Sequence, residues 1–261
     1  MALALFVGAL PFLFCAPAHA DEVGLTYGGK ATVQTNYLWR GLYAGAFNLQ
    51  TSANVGYGGA YFDMWWSLGS SDWQGSQFVS ELDLSIGFKR WGLNVFLLYI
   101  HNFNCGFFDF ANYTDKGNRL ELDASYTISE AIPLRLLWAT RVSAADGYIN
   151  SKGELVRAWS SYIEISYTQH LPYDMSLYAA IGMSPWRSCY SGYRLNFAVP
   201  NIELQLCKDW SASEHIGVQL FGQFAINPSL LALDTSTAEW HPNSPHNQTI
   251  NANAGVTVYW K

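Results

Sequence analysis

The sequence predicts an all-β fold, a closed antiparallel transmembrane β-barrel of about 12 strands with short periplasmic turns and longer external loops. Three observations predict it. Apolar and polar side chains alternate in segment after segment, and short connections alternate with long ones. After the first twenty residues, no apolar stretch approaches the ~18 residues that a membrane-spanning helix needs.

The first strand shows the alternation most clearly. One parity is apolar and carries Leu25, Tyr27, Ala31, Val33, Tyr37 and Trp39. The other parity is polar and carries Thr26, Lys30, Thr32, Gln34, Asn36 and Arg40. Successive side chains of a strand face opposite sides of the sheet, so the segment has one apolar face and one polar face. Many such strands in one chain favour a barrel whose apolar face meets lipid.

The same pattern, bounded by turn residues, recurs along the whole chain. It predicts strands over 26–39, 48–57, 60–68, 78–88, 93–102, 119–128, 133–142, 159–168, 175–184, 197–207, 216–226 and 248–260. These lengths cluster near the ~9–11 residues with which a tilted strand crosses the hydrocarbon. In the last strand, the outward row is expected to be Ile250, Ala252, Ala254, Val256, Val258 and Trp260.

The connections support the same fold independently. Even-numbered strands are followed by short turns, at 58–59, 89–92, 129–132, 170–174 and 209–213. Odd-numbered strands are followed by longer stretches, at 40–47, 69–77, 103–118, 143–158, 185–196 and 227–247. Outer-membrane barrels have short periplasmic turns and longer external loops. A soluble β-sandwich is the alternative fold, but it would need charged outward faces, and only 13% of the residues are charged.

The N-terminal segment and the net charge of the chain predict its localisation and its partners. Residues 1–20 are predicted to be a cleavable signal peptide, because the apolar segment Met1–Phe14 precedes Ala18-His19-Ala20. Residues 21–261 then form one barrel domain in the outer membrane of a Gram-negative bacterium. The expected partners are outer-membrane lipid, small polar solutes and, during biogenesis, the barrel-assembly machinery. A net charge of −6 without a basic run argues against nucleic acid.

Three cysteines remain after the predicted cleavage site: Cys105, Cys189 and Cys207. An odd number in an exported protein excludes a complete disulfide framework. Cys105 and Cys189 both fall in predicted external loops, so a bridge between them and a pair of thiols are both open alternatives.

Several short motifs carry a family resemblance. The first strand ends in Asn36-Tyr-Leu-Trp-Arg-Gly41, the next hairpin reads Gly59-Ala-Tyr-Phe-Asp-Met-Trp-Trp-Ser67, and Glu81-Leu-Asp83 and Glu121-Leu-Asp123 follow. In these motifs the chain resembles the TorF family of bacterial outer-membrane barrels, which are described as porins. The resemblance implies a barrel fold and a porin function. Leu42-Tyr43 departs from the family pattern, which has a small polar residue after the Arg-Gly pair.

Twelve charged residues lie on the polar parity and are predicted to face the lumen. They are Lys30, Arg40, Asp63, Glu81, Asp83, Arg119, Glu121, Asp123, Arg135, Arg141, Glu164 and Glu203. Each cation placed against lipid at the midplane would cost roughly 2–4 kcal/mol, so the inward assignment follows. Six of the carboxylates, on descending strands, are expected to form a belt: Glu81, Asp83, Glu121, Asp123, Glu164 and Glu203. Arg40, Arg119 and Arg141 are expected near the outer mouth, with Lys30 and Arg135 lower.

Three functions are compatible with this lumen. The first is a porin in which small polar or charged solutes diffuse passively through a narrow charged lumen. The second is a plugged structural or adhesion barrel without channel activity, which would bind through loops such as Asn104–Tyr113 and Trp186–Tyr193. The third is an outer-membrane lipid hydrolase using His101 and Ser143, but no nucleophile motif surrounds either residue. The sequence therefore predicts no enzyme, and no catalytic residue, metal ligand or cofactor is assigned.

Overall fold

The computed structural model describes residues 24–70, 79–103, 105–110, 117–143, 146–231 and 249–260. Over these residues the chain is a closed antiparallel barrel of twelve strands, as the sequence predicts. The predicted signal peptide, residues 1–20, lies outside the described residues. No helix in the described part of the chain is long and apolar enough to cross a bilayer.

The strands are numbered in chain order. They are β1 (Leu25–Trp39), β2 (Leu42–Tyr57), β3 (Ala60–Gly69), β4 (Val79–Arg90), β5 (Leu93–Asn102), β6 (Arg119–Thr127), β7 (Leu134–Ser143), β8 (Gly147–Ile149), β9 (Leu155–Arg157), β10 (Ser161–Leu171), β11 (Met175–Ser184), β12 (Ala198–Ser211), β13 (Ile216–Ile226) and β14 (Ile250–Trp260). A 3₁₀ turn spans Cys189–Ser191 and a single-turn helix, α1, spans Pro228–Leu231.

Neighbouring strands in the chain are neighbours in the wall, except that β7 pairs with β10. The two strands between them, β8 and β9, form a separate hairpin inside the predicted loop 143–158. Closure is made by β1 and β14, which pair from Gly29–Trp260 to Gln34–Gly255. A closed sheet has no unpaired edge, so the backbone hydrogen bonds of the wall are made within the wall.

Burial in the wall is inverted relative to a water-soluble protein, whose interior is apolar. Along β14 the exposed side chains include Ile250, Val256 and Val258, whereas Asn251 and Asn253 are buried. The predicted outward row of this strand is therefore confirmed. The other barrel strands, apart from β5 and β7, repeat the pattern in part, with exposed Leu, Ile, Val, Phe or Trp and buried Ser, Thr, Asn, Gln, Asp or Glu. The outer surface is suited to hydrocarbon and the interior to water or ions.

One predicted loop is wrong. Residues 40–47 were expected to form a longer external connection, but β2 begins at Leu42 and the connection is only Arg40 and Gly41. Both residues have positive φ, 50° and 77° respectively. The two-residue turns that match the twist of a hairpin require this backbone region, and glycine enters it without a steric cost. Strand β2 therefore has a two-residue turn at each end, because Gly58–Gly59 joins it to β3 in the same way.

The structure decides between the two alternatives for the loop cysteines. Cys105 and Cys189 form no disulfide with each other and both keep their thiols.

Candidate functional site

The upper part of the first hairpin leaves the barrel wall. Pairing between β1 and β14 ends at Gln34. Beyond it, Asn253 Oδ1 accepts hydrogen bonds from Thr35 Oγ1 and from the backbone N–H of Asn36, each at 3.1 Å. On the other side, β2 pairs with β3 only from Asn48 onward. Residues 35–47 therefore form no strand ladder with the rest of the described wall, and the backbone oxygen of Phe47 accepts one hydrogen bond from Ser70 N–H at 2.9 Å. We call residues 35–47 the inner hairpin.

The inner hairpin folds into the barrel. Leu38 and Leu42, on either side of its turn, are both buried. At Gly41, a Cβ atom would lie 2.0 Å from the backbone oxygen of Pro200 on β12. Leu42 packs in one cluster with Leu137 of β7 and with Tyr162, Cys189 and Tyr190. The tip of the hairpin thus contacts other walls of the barrel and the loop that precedes β12.

Alternation fails in the inner hairpin, where β1 no longer pairs with β14 and a register shift lies between Tyr37 and Leu38. The alternation predicts Tyr37 on the outer face and Asn36 on the inner face, and this part of the prediction is wrong. Tyr37 is buried and its hydroxyl donates to Glu81 Oε1 at 2.7 Å. Asn36 instead donates from Nδ2 to the backbone oxygen of Ala252. Both residues keep the register that β1 and β2 have below them, so their burial is changed because this part of the hairpin leaves the wall.

Arg40 is the centre of the site. Its Nη2 atom lies 2.7 Å from Glu121 Oε1 and 3.1 Å from Asp123 Oδ2, both on β6. Its Nη1 donates to the hydroxyl of Tyr190, and its guanidinium lies 4.9 Å from the centre of the Tyr162 ring. All three ion-pair side chains are at most 3% exposed. The side chain of Arg40, expected near the outer mouth, reaches inward to the carboxylates of β6.

Glu164 has the other ion pair of the predicted set. It accepts hydrogen bonds from the hydroxyls of Tyr162 at 2.7 Å and Tyr178 at 2.8 Å. Arg135 Nη1 lies 3.7 Å from the Oε1 atom of Glu164. Donors fixed in position by neighbouring strands stabilise a carboxylate that water would otherwise solvate.

Glu203 is held differently, by neutral amides. Gln223 Nε2 donates to its Oε1 at 2.8 Å and Asn201 Nδ2 to its Oε2 at 3.2 Å. Among the described residues it has no ion pair. Asn253 Nδ2 continues the network by donating to Gln223 and Gln34. This side of the interior is lined by amides, whereas the Arg40 side is lined by charges and aromatic rings.

All twelve predicted charged residues are buried or half-buried on inward-facing positions. Eight are buried: Arg40, Asp63, Asp83, Glu121, Asp123, Arg141, Glu164 and Glu203. Four are half-buried: Lys30, Glu81, Arg119 and Arg135. Lys89 was missed, although it shares the parity of Glu81 and Asp83 on β4 and is also half-buried. Among the described residues, ion pairs join Arg40 to Glu121 and Asp123, and Arg135 to Glu164. Glu81 and Asp83 share β4, whereas Asp63 and Glu203 lie on β3 and β12.

One stretch of the interior is apolar, which the sequence analysis also missed. On β5 the inward residues Phe96, Leu98 and Ile100 are buried and pack with Tyr37 and Trp65. The run Val95–Ile100 is apolar at both parities, so alternation assigns it no polar face. This wall gives the aromatic side of the inner hairpin a surface to pack against.

The loop between β11 and β12 covers the Arg40 cluster. It contributes Cys189 and Tyr190, both buried. The backbone N–H of Cys189 donates to Ser160 Oγ at 2.9 Å, and Asp146 accepts from the backbone N–H of Ser160 at 2.7 Å and from the Tyr193 hydroxyl at 3.2 Å. These contacts tie the loop to the segment before β10.

His101, the candidate for hydrolysis, lies on the outward parity of β5 and is buried under its own loop. Its Nδ1 is 2.7 Å from Asn118 Oδ1. Its ring also contacts the rings of Tyr99, Phe103 and Phe107. The side chain of Ser143 lies outside the described residues. The described contacts of His101 are therefore those of a packed interface residue.

No family model and no curated protein matches the chain. The resemblance to the TorF family therefore stays a prediction. Solved structures show similarity at low identity. The NanC porin is 10% identical, with 90% of this chain and 100% of that chain covered and a TM-score of 0.47. An outer membrane channel from Pseudomonas putida F1 is 9% identical, with 92% and 96% covered and a TM-score of 0.46.

A further solved structure, OmpF of Salmonella typhi in complex with daunomycin, is 10% identical. The aligned region covers 94% of this chain and 99% of the OmpF chain, with a TM-score of 0.39. At these identities the similarity concerns the barrel fold alone.

Proposed function

We propose that the protein is a porin-like channel of the bacterial outer membrane, through which small polar or charged solutes diffuse passively. The observation that carries this proposal is the inverted burial of a closed single-layer barrel, apolar outside and polar inside. A wall of this kind is stable in hydrocarbon and encloses a polar lumen. In this proposal the chain is exported by its signal peptide, residues 1–20, and inserted by the barrel-assembly machinery.

Polar atoms of the interior support a hydrated lumen. Gln34 Nε2, Gln50 Nε2, Ser52 Oγ, Asn54 Nδ2 and Asn201 Oδ1 are buried and have no hydrogen-bond partner among the described protein atoms. Buried polar groups in folded proteins are nearly always hydrogen-bonded, to protein or to ordered water. These five lie on β1, β2 and β12, along the amide-rich side, and further buried polar atoms without a hydrogen bond lie on β4 and β6. A water-filled path on this side, past the inner hairpin, is the route we propose for solutes.

The inner hairpin would be the constriction of this channel. Of the twelve predicted lumen residues, eight are buried, and these comprise six carboxylates and two guanidiniums, Arg40 and Arg141. Fixed charges in a narrow, low-dielectric passage act on ions more strongly than the same charges in bulk water. We therefore propose a modest preference for cations over anions.

The test is single-channel conductance of the purified full chain in planar lipid bilayers. We expect small, discrete current steps and, in a salt gradient, a reversal potential on the cation-selective side. A protein that folds, inserts and stays silent at every voltage would contradict the proposal.

A plugged barrel without channel activity is the second candidate, and the inner hairpin favours it. Arg40 joins the first hairpin to β6 through a buried ion pair, and such pairs are costly to break once formed. The two candidates differ in the response to loosening the hairpin. A plugged channel opens when the Arg40 contacts are removed, whereas a structural barrel stays silent.

A further inference from the structure

Two arginines, Arg119 and Arg141, lie on adjacent strands near the end of the barrel that carries the longer loops. Arg119 is the first residue of β6, and Arg141 lies on β7 opposite Glu121. The two residues are therefore on adjacent strands, with inward side chains, and Arg141 is level with Glu121, which is already paired with Arg40. Both act electrostatically on the same groups, namely Glu81, Cys189 and Tyr193.

Arg141 is buried, and its acidic neighbour Asp146 acts on it only electrostatically. Arg141 is only 4% exposed. Its side chain makes no hydrogen bond or ion pair with any described residue, and its Nε atom is fully buried. The Nε atom of Arg119 is also buried and has no hydrogen-bond partner among the described residues. Arg40 provides the contrast inside the same lumen, since it has two carboxylates and a tyrosine hydroxyl. The carboxylates Glu81, Glu121 and Asp146 act on Arg141 only electrostatically, so its N–H groups have no direct acceptor and are suited to bind an anion.

The nearby acidic side chains do not fill this role. Glu81 accepts the Tyr37 hydroxyl at 2.7 Å, and Asp146 accepts from Ser160 and Tyr193. Neither forms an ion pair with Arg119 or Arg141 in the described structure. The groups of the covering loop are neutral: burial raises the pKa of the Cys189 thiol and raises that of the Tyr193 hydroxyl well above its usual value, although Arg141 opposes both shifts.

We propose that Arg119 and Arg141 bind a small oxyanion, a carboxylate or a phosphate, at this mouth of the barrel. Guanidinium groups match the planar, bidentate geometry of such anions. The neutral Tyr193 hydroxyl and the Cys189 thiol border the same space and are compatible with an anion there, whereas ionised groups would repel it. The proposal rests on the barrel itself and does not depend on the proposed channel function.

The experiment uses the purified full chain in detergent micelles and measures the unfolding temperature at constant ionic strength. Sodium chloride is replaced stepwise by sodium acetate in one series and by sodium phosphate in another. We expect a saturable rise in unfolding temperature with at least one of the two anions. The series that saturates at the lower concentration identifies carboxylate or phosphate as the preferred group.

The double variant Arg119→Gln/Arg141→Gln is expected to raise the apparent Kd at least about tenfold, since charge-assisted hydrogen bonds to the anion are lost. Because it removes an unpaired buried charge, we expect it to fold. The single variant Arg119→Gln, at a half-buried position, repeats the test. The matched control is Arg187→Gln, which removes a guanidinium that lies over the Tyr148 ring. This control is expected to keep the wild-type response.

The proposal is overturned if neither anion stabilises the wild-type chain more than chloride does. It is equally overturned if the double variant responds like the wild type. Channel recordings are independent of this result: saturable stabilisation with silent bilayers contradicts the proposed channel and leaves the anion site standing.

Discussion

Arg40 Nη2 lies 2.7 Å from Glu121 Oε1, although Arg40 belongs to the turn between β1 and β2 and Glu121 to β6, on another part of the barrel wall. The contact exists because residues 35–47 leave the wall and fold inward. Asp123 and the Tyr190 hydroxyl complete the coordination of the guanidinium. The inner hairpin is therefore anchored at its tip by charge and not only by packing.

Removing this guanidinium is expected to destabilise the barrel. Arg40→Met leaves Glu121 and Asp123 buried without their cation, which costs about 3–5 kcal/mol in the free energy of unfolding. The measurement is urea unfolding of the protein in lipid vesicles. The variant Arg40→Met/Glu121→Gln/Asp123→Asn removes all three charges and is expected to recover most of the loss. Equal stability of wild type and Arg40→Met would show that the ion pair does not anchor the hairpin.

Gly41 offers a way to displace the hairpin without touching a charge. In Gly41→Ala the new Cβ would meet the Pro200 oxygen at 2.0 Å, at a position whose φ is 77°. Since the contact is with backbone, the hairpin must move away from β12. We expect larger single-channel conductance than in the wild type. The control is Gly58→Ala, whose φ of 58° imposes a similar backbone strain while nothing lies within 4 Å of the new atom.

Conductance of Gly41→Ala equal to that of Gly58→Ala would contradict the assignment of the inner hairpin as the constriction. A rise in both variants would point to backbone strain in the first hairpin and not to the contact with Pro200.

The barrel could be predicted from the sequence because its cause is repeated in every strand. Alternation and turn spacing are local, so twelve segments each carry the same signal. The inner hairpin could not be predicted in this way. Alternation continues from Gln34 toward Arg40, whereas the loss of pairing beyond Gln34 and the contact of Gly41 with β12 place the strand inside. These depend on Asn253 and Pro200, which are more than 150 residues away in the chain.

One local signal for the tight turn was present. Arg40-Gly41 stands between Trp39 and Leu42, and a two-residue connection containing glycine between apolar residues is typical of a hairpin. Glu121 and Asp123 are buried in the structure, but their pairing with Arg40 depends on a hairpin that crosses to another part of the barrel, which alternation does not encode.

Ion selectivity can be tested at Glu203, since this carboxylate is held by the amides of Asn201 and Gln223. Glu203→Gln removes one negative charge and leaves no cation without its partner, so the fold is expected to stay intact. In a salt gradient the reversal potential should shift toward anions. The control is Glu154→Gln in the exposed turn between β8 and β9, which changes the net charge equally. An unchanged potential in Glu203→Gln would argue against a role of this carboxylate in selectivity.

The orientation of the wall toward lipid is tested on β12, where Leu204 is exposed between the buried residues Glu203 and Gln205. Leu204→Arg would place a guanidinium against hydrocarbon, at a cost of about 2–4 kcal/mol near the midplane of the bilayer. The measurement is the free energy of folding into lipid vesicles from urea. Tyr173→Arg, in the short turn before β11, is exposed but lies at the end of the barrel and is expected to be nearly neutral. If the barrel stood in water, both substitutions would place arginine in solvent, and both variants would then fold with wild-type stability.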